Sequence, residues 1–203
     1  MTADPLVLVA ELDRATDRLL ETARSLGSIS DPSLCPGWTR GHVLAHLSRN
    51  AEAQMNLLTW ASTGVETPMY ATPEARVDGI EAGAFRPPAE QLADLEMTSK
   101  ALHEAMAAMP SAAWAAQIGY RTGPGPAARI VWNRLCEVEI HHVDLAAGYG
   151  PADWPESFGA RLIHETPPPP GVNGPVNAVA AWLIGRSDGS DLQGVLPPVP
   201  AWK

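Results

Sequence analysis

The chain has 203 residues, 45% of them hydrophobic, and a formal net charge of −9 at pH 7. That length suits one large domain, or one domain with an appendage, and no unbroken apolar run is long enough to cross a bilayer. The acidic balance, with no Lys/Arg cluster, argues against nucleic acid and anionic membrane surfaces as partners.

The first helical pattern runs from about Pro5 to Leu26, with Leu8, Leu12, Ala15, Leu19, Ala23 and Leu26 along one face and Gly27 placed to cap it. Its start has no basic leader before the short apolar stretch, so it reads as a helix and not as a signal peptide. A turn at Pro36-Gly37 precedes Thr39, a good N-cap for a second helix ending at Gly64. Val43, Leu44, Leu47, Ala51, Met55 and Leu58 form its buried stripe, and His46 sits on the flank with Asn50 and Leu57. His42, in the first turn, reads as a capping or solvent-side residue. The Pro/Gly-rich connection from Val65 to Pro88 is long for a compact domain and is expected to be a lid or site wall. A third helix spans about Ala89 to Met109, with Leu92, Leu95, Ser99, Leu102, Met106 and Met109 as its seam and Pro110 as its stop. Residues 111–126 read as another loop, containing Trp114. The fourth pattern, Ala127 to Gly148, has Val131, Leu135, Val138, His142 and Leu145 at helical spacing. Four amphipathic helices predict a mainly α protein built as a four-helix bundle over residues 1–150. Residues 151–203 are Pro- and Gly-rich, with a short helical pattern at Pro175–Arg186. About fifty residues make a poor independent core, so this segment is expected to pack on the bundle through Trp154, Trp182 and Trp202.

The chemistry concentrates on the fourth helix. Glu137 and His141 are i, i+4 neighbours and project from one face. Asn133, Glu137, His141 and Asp144 make a polar stripe beside the apolar seam, whereas Glu139 points away from Glu137. A Glu–His pair alone is usually a solvated helix face. His46 on a different helix adds a second imidazole, and the three together suit a divalent transition metal, zinc ahead of nickel or iron. Three protein ligands leave a position open for water or substrate. Asp144 reads equally as an orienting partner of a ligand or as a helix-end charge. Arg40, Arg121 and Arg134 are carboxylate-clamp candidates for which a solvated surface role is the plainer expectation. Cys35 and Cys136 read as small buried hydrophobes in a reducing cytoplasm.

The stretches Pro36-Gly37-Trp38-Thr39-Arg40-Gly41-His42-Val43-Leu44-Ala45-His46-Leu47 and Glu137-Val138-Glu139-Ile140-His141-His142-Val143-Asp144-Leu145 resemble the mycothiol-dependent maleylpyruvate isomerase family. Those proteins are DinB-like four-helix-bundle metalloenzymes. The resemblance extends over roughly the first 150 residues and, more loosely, to Trp182-Leu183-Ile184-Gly185-Arg186. It implies metal ligands at His46, Glu137 and His141, mycothiol as thiol cosubstrate, and a cytoplasmic enzyme. The implied reaction is addition of a metal-bound thiolate to an electrophile, of the maleylpyruvate cis–trans isomerase type. It further implies that an arginine of the C-terminal part serves the site, with Arg186 as the nearest match, and that the C-terminal segment is a shortened version of the family's. Mycothiol S-transfer to another electrophile is the alternative reaction, and a non-catalytic metal- or ligand-binding regulator is the alternative from another class.

Overall fold

The computed structural model describes residues 5–198, so Trp202 lies outside the described residues. It divides into two compact units, 1–147 and 148–203. In the first, helices α1 (Pro5–Ser25), α2 (Arg40–Thr63), α4 (Pro88–Ala107) and α5 (Arg129–Asp144) are the four anticipated from periodicity. They close a ring in which α1 packs on α5, α5 on α2, α2 on α4 and α4 on α1. Leu8, Leu12, Ala15 and Leu19 of α1, Val43, Leu47 and Leu58 of α2, Leu95, Leu102 and Met106 of α4, and Val131, Leu135 and Val138 of α5 are buried within it. Burial of these stripes is what stabilises helices whose intrinsic propensities are ordinary.

The ends of the helices follow local chemistry in α2 and depart from expectation in α1. Thr39 and His42 form a reciprocal cap: the Thr39 hydroxyl accepts from the His42 N–H, and the His42 ring accepts from the Thr39 N–H. His42 is therefore a capping residue, but it is buried and not solvent-side. Gly64 closes α2 in the left-handed conformation at φ 74°. By contrast, α1 stops at Ser25, and Gly27 is not in the left-handed region. There the expected glycine cap does not form.

The two connections read as loops are partly structured. The long segment after α2 contains a further helix, α3 (Pro73–Ala84), capped by the Thr72 hydroxyl on the Ala75 N–H, with proline in its first turn. α3 packs on α2, and the approach is close: a Cβ at Gly83 would fall 2.8 Å from the Ala45 Cβ. Short, weakly amphipathic and bracketed by prolines, α3 had no stripe to announce it. The segment after α4 folds as a turn of 3-10 helix (Ser111–Ala115) and an antiparallel hairpin, β1 (Gln117–Tyr120) with β2 (Gly123–Pro126). Prolines at every second position of β2 hide the strand signal, yet an isolated two-stranded ribbon tolerates their missing donors.

The second unit holds α6 (Glu156–Glu165) and α7 (Val176–Leu183), which pack on each other. Trp154 and Trp182 are buried, and Trp154 meets Phe158 edge-on at 5.3 Å between ring centroids.

Candidate metal centre

α2 and α5 lie side by side, and the polar stripe of α5 faces the flank of α2 that carries His46. The His46 Nε2 stands 2.9 Å from Glu137 Oε2, and the His141 Nε2 stands 3.3 Å from the same oxygen. The two imidazoles meet edge-on with centroids 4.7 Å apart. The donor atoms of His46, Glu137 and His141 all lie within 4.8 Å of one another, a separation that one cation can span. Both histidines are buried, while the Glu137 side chain retains 32% exposure, so the cluster is reached from the carboxylate side.

Electrostatics assign each group a state. Burial lowers the His46 pKa and outweighs the pull of Glu137, so His46 is a neutral imidazole. Burial alone would raise Glu137. The facing His46, with hydrogen bonds from His141 and His46, instead holds it well below the usual carboxylate range. Burial would also lower His141, but hydrogen bonds to Asp144, Cys35 and Glu137 raise it well above the ordinary histidine value. A neutral imidazole, a carboxylate and a second imidazole whose Nε2 proton a cation can displace are the donors a divalent metal requires. The residues fit the ion.

Behind His141, the Asp144 carboxylate is fully buried and accepts from Nδ1 at 2.9 Å. That bond keeps the proton on Nδ1 and aims Nε2 at Glu137. Cys35 completes this side: its Sγ lies 3.2 Å from Asp144 Oδ2 and 3.9 Å from His141 Nδ1. Cys35 is thus a half-buried neighbour of the site and not an ordinary packing residue. The Leu34 N–H, bonded to the Asp144 carbonyl at 2.9 Å, fixes the loop that delivers it. Glu139, as expected, faces elsewhere and pairs with Arg18 at 2.7 Å.

Two arginines expected at the surface are structural. Arg134 is 1% exposed and donates from Nη1 to the Leu47 carbonyl at 2.8 Å and to Asn50 Oδ1 at 2.9 Å. Burial lowers its pKa to about 10. Arg40 spans from α2 to the end of α5, donating to the Leu145 and Ala146 carbonyls at 2.8 and 2.9 Å, where a cation offsets the helix C-terminal dipole. Arg121 is exposed, in the hairpin turn. Arg186 belongs to the second unit, where it donates to the Ile184 carbonyl at 3.1 Å. Sequence patterns overlooked Tyr70 and Arg76, which α3 and its approach bring to the His46 side. The Thr72-Pro73 helix start was the signal that could have found them.

A helical bundle that gathers two imidazoles and a carboxylate from two of its helices has the architecture of the DinB-like metal-binding proteins. More narrowly, a family model, the mycothiol maleylpyruvate isomerase N-terminal domain, matches residues 9–146, and the chain belongs to that family. The crystal structure of the mycothiol-dependent maleylpyruvate isomerase superposes with a TM-score of 0.88 at 28% identity, over 98% of this chain and 97% of that one. A histidine-to-alanine mutant of that enzyme gives 0.87 at 27% identity. Two uncharacterized proteins of Mycobacterium tuberculosis, from different strains, are each 32% identical over 154 residues, 73% of this chain. The match spans 58% of the length of these curated relatives. Among the described residues, no helix is long and apolar enough to cross a membrane.

Proposed function

We propose that this protein is a mycothiol-dependent metalloenzyme of the maleylpyruvate cis–trans isomerase type, acting in the cytoplasm. The observation that carries the reading is the convergence of His46 Nε2, Glu137 Oε2 and His141 Nε2 from two helices on one point. A divalent ion there, zinc first by its donor set, would supply the positive charge that turns an entering thiol into thiolate. His46 and Glu137 serve as ligands, and His141 does so with its ring held by Asp144. Arg186 is proposed as a clamp for a substrate carboxylate, a role a planar two-pronged cation fits.

For such a substrate the sulfur bonds to one carbon of the conjugated double bond while the π pair moves onto the adjoining carbonyl. The remaining single bond rotates. Return of the electron pair expels the thiolate and restores the double bond as trans, with no net change of proton count or oxidation state. Transfer to another electrophile would share the first step and stop at the adduct.

The test is an assay with mycothiol, maleylpyruvate and a panel of other electrophiles, with and without a chelator. Turnover that needs the thiol and is lost on chelation is expected. Turnover without any thiol would overturn the reading in favour of a metal-activated water, and no turnover with stoichiometric metal would leave a binding protein. Arg186→Ala should slow carboxylate-bearing substrates and keep the metal; an unchanged rate would remove Arg186 from the site.

A further inference from the structure

The metal triad has a neighbour on its α3 side that the reading above does not use. Arg76, in the first turns of α3, points its Nη2 at His46 Nδ1 from 3.5 Å. Its guanidinium is half-buried, and among the described residues no carboxylate pairs with it. The acidic residues nearest in sequence, Glu74 and Asp78, are two positions away on the helix and cannot face it. Tyr70, just before α3, has a buried hydroxyl that lies beside the Arg76 guanidinium and within reach of the Glu137 charge. A half-buried cation whose nearest partners are a ring nitrogen and a phenol, with no carboxylate set against it among the described residues, stands beside one cluster. A guanidinium in such a place normally faces a carboxylate, and among the described residues none is paired with it.

Arg76 thus meets only the edge of the His46 ring, at 3.5 Å, and the neighbouring Tyr70 hydroxyl, which leaves its donors available to an anion from outside. A carboxylate matches the two-pronged donor and accepts a third bond from a phenol.

We propose that Arg76, with the Tyr70 hydroxyl beside it, is the grip for a carboxylate of the electrophile, and so makes this site selective for anionic substrates. The proposal rests on the metal-site reading of His46, Glu137 and His141. It assigns Arg76 a substrate-binding role separate from that of Arg186.

Calorimetric titration of the zinc-loaded full chain with maleate tests it without relying on turnover. Arg76→Gln is expected to weaken maleate on the order of ten- to a hundredfold, the size of a charge-assisted hydrogen-bond loss, with zinc affinity within about twofold of the parent. Tyr70→Phe should weaken maleate by a smaller factor, and Arg76→Lys, which keeps the charge and loses the fork, should fall between. Maleate affinity unchanged in Arg76→Gln, or no maleate binding by the parent protein, would overturn the grip. A parallel loss of zinc and maleate would reassign Arg76 to holding His46. Failure of the thiol-dependent assay with maleate binding intact would instead fault the proposed reaction and leave the grip standing.

Discussion

The Asp144 carboxylate accepts a 2.9 Å bond from Nδ1 of His141, three residues back on the same helix, in a position with no solvent exposure. An i, i+3 pair usually decorates a helix surface. Here it is turned inward, so it fixes the ring plane and the tautomer of a residue whose other nitrogen belongs to the metal site.

Loss of that orienting bond should appear first in metal affinity. Asp144→Asn is expected to weaken zinc by about ten- to a hundredfold, the usual cost of removing a partner behind a ligating histidine. Competition against a fluorescent chelator reads this directly, and affinity equal to the parent's would show that His141 is positioned by packing alone.

The ligand set itself predicts a contrast between two glutamates of α5. Glu137→Gln should lose the metal, as should His46→Ala and His141→Ala, whereas Glu139→Gln should keep it. Glu139 instead pairs with Arg18, so its variant should cost roughly 1 kcal/mol of stability, a modest figure because Arg18 is partly exposed. Metal analysis and denaturant melts of the purified variants separate the two effects; stoichiometric zinc in Glu137→Gln would refute the assignment.

Metal affinity should also depend on pH with a definite sign. The pKa of His141 is raised above 6.5, so without metal the ring keeps both protons at and below that pH. Zinc must displace the Nε2 proton. Affinity is therefore expected to rise about tenfold per pH unit until the raised His141 pKa is passed, then to level off. Asp144→Asn, by removing the carboxylate that accepts from Nδ1 and supports the imidazolium, should move the plateau to lower pH. A flat profile through 6.5 would contradict the assignment of His141 as the displaced acid.

Arg134 should matter for stability more than for the site's composition. Arg134→Met removes two buried hydrogen bonds, to the Leu47 carbonyl and Asn50, and should cost about 2–3 kcal/mol in urea unfolding. The Asn50 side chain and the Leu47 carbonyl would lose a charged donor at a buried position. A change under about 0.5 kcal/mol would mean that the methionine packs well enough to offset both.

The sequence alone determined what depends on short spacing. Helical period placed α1, α2, α4 and α5, because burial of a stripe requires residues three and four apart to share a face. The same geometry put Glu137 and His141 on one side of α5 and turned Glu139 from it, and local hydrogen-bonding chemistry started α2 at Thr39. What lies far apart along the chain was decided only by tertiary packing. Cys35 reads as an ordinary buried thiol until the turn before α2 docks on the end of α5 and sets it against Asp144. Arg134 reads as a surface charge until Leu47 and Asn50, on α2, close over it. Arg76 lies in what reads as a loop until α3 packs on α2 beside His46. In each case the partner comes from another segment, and no periodicity within one segment encodes the distance between two.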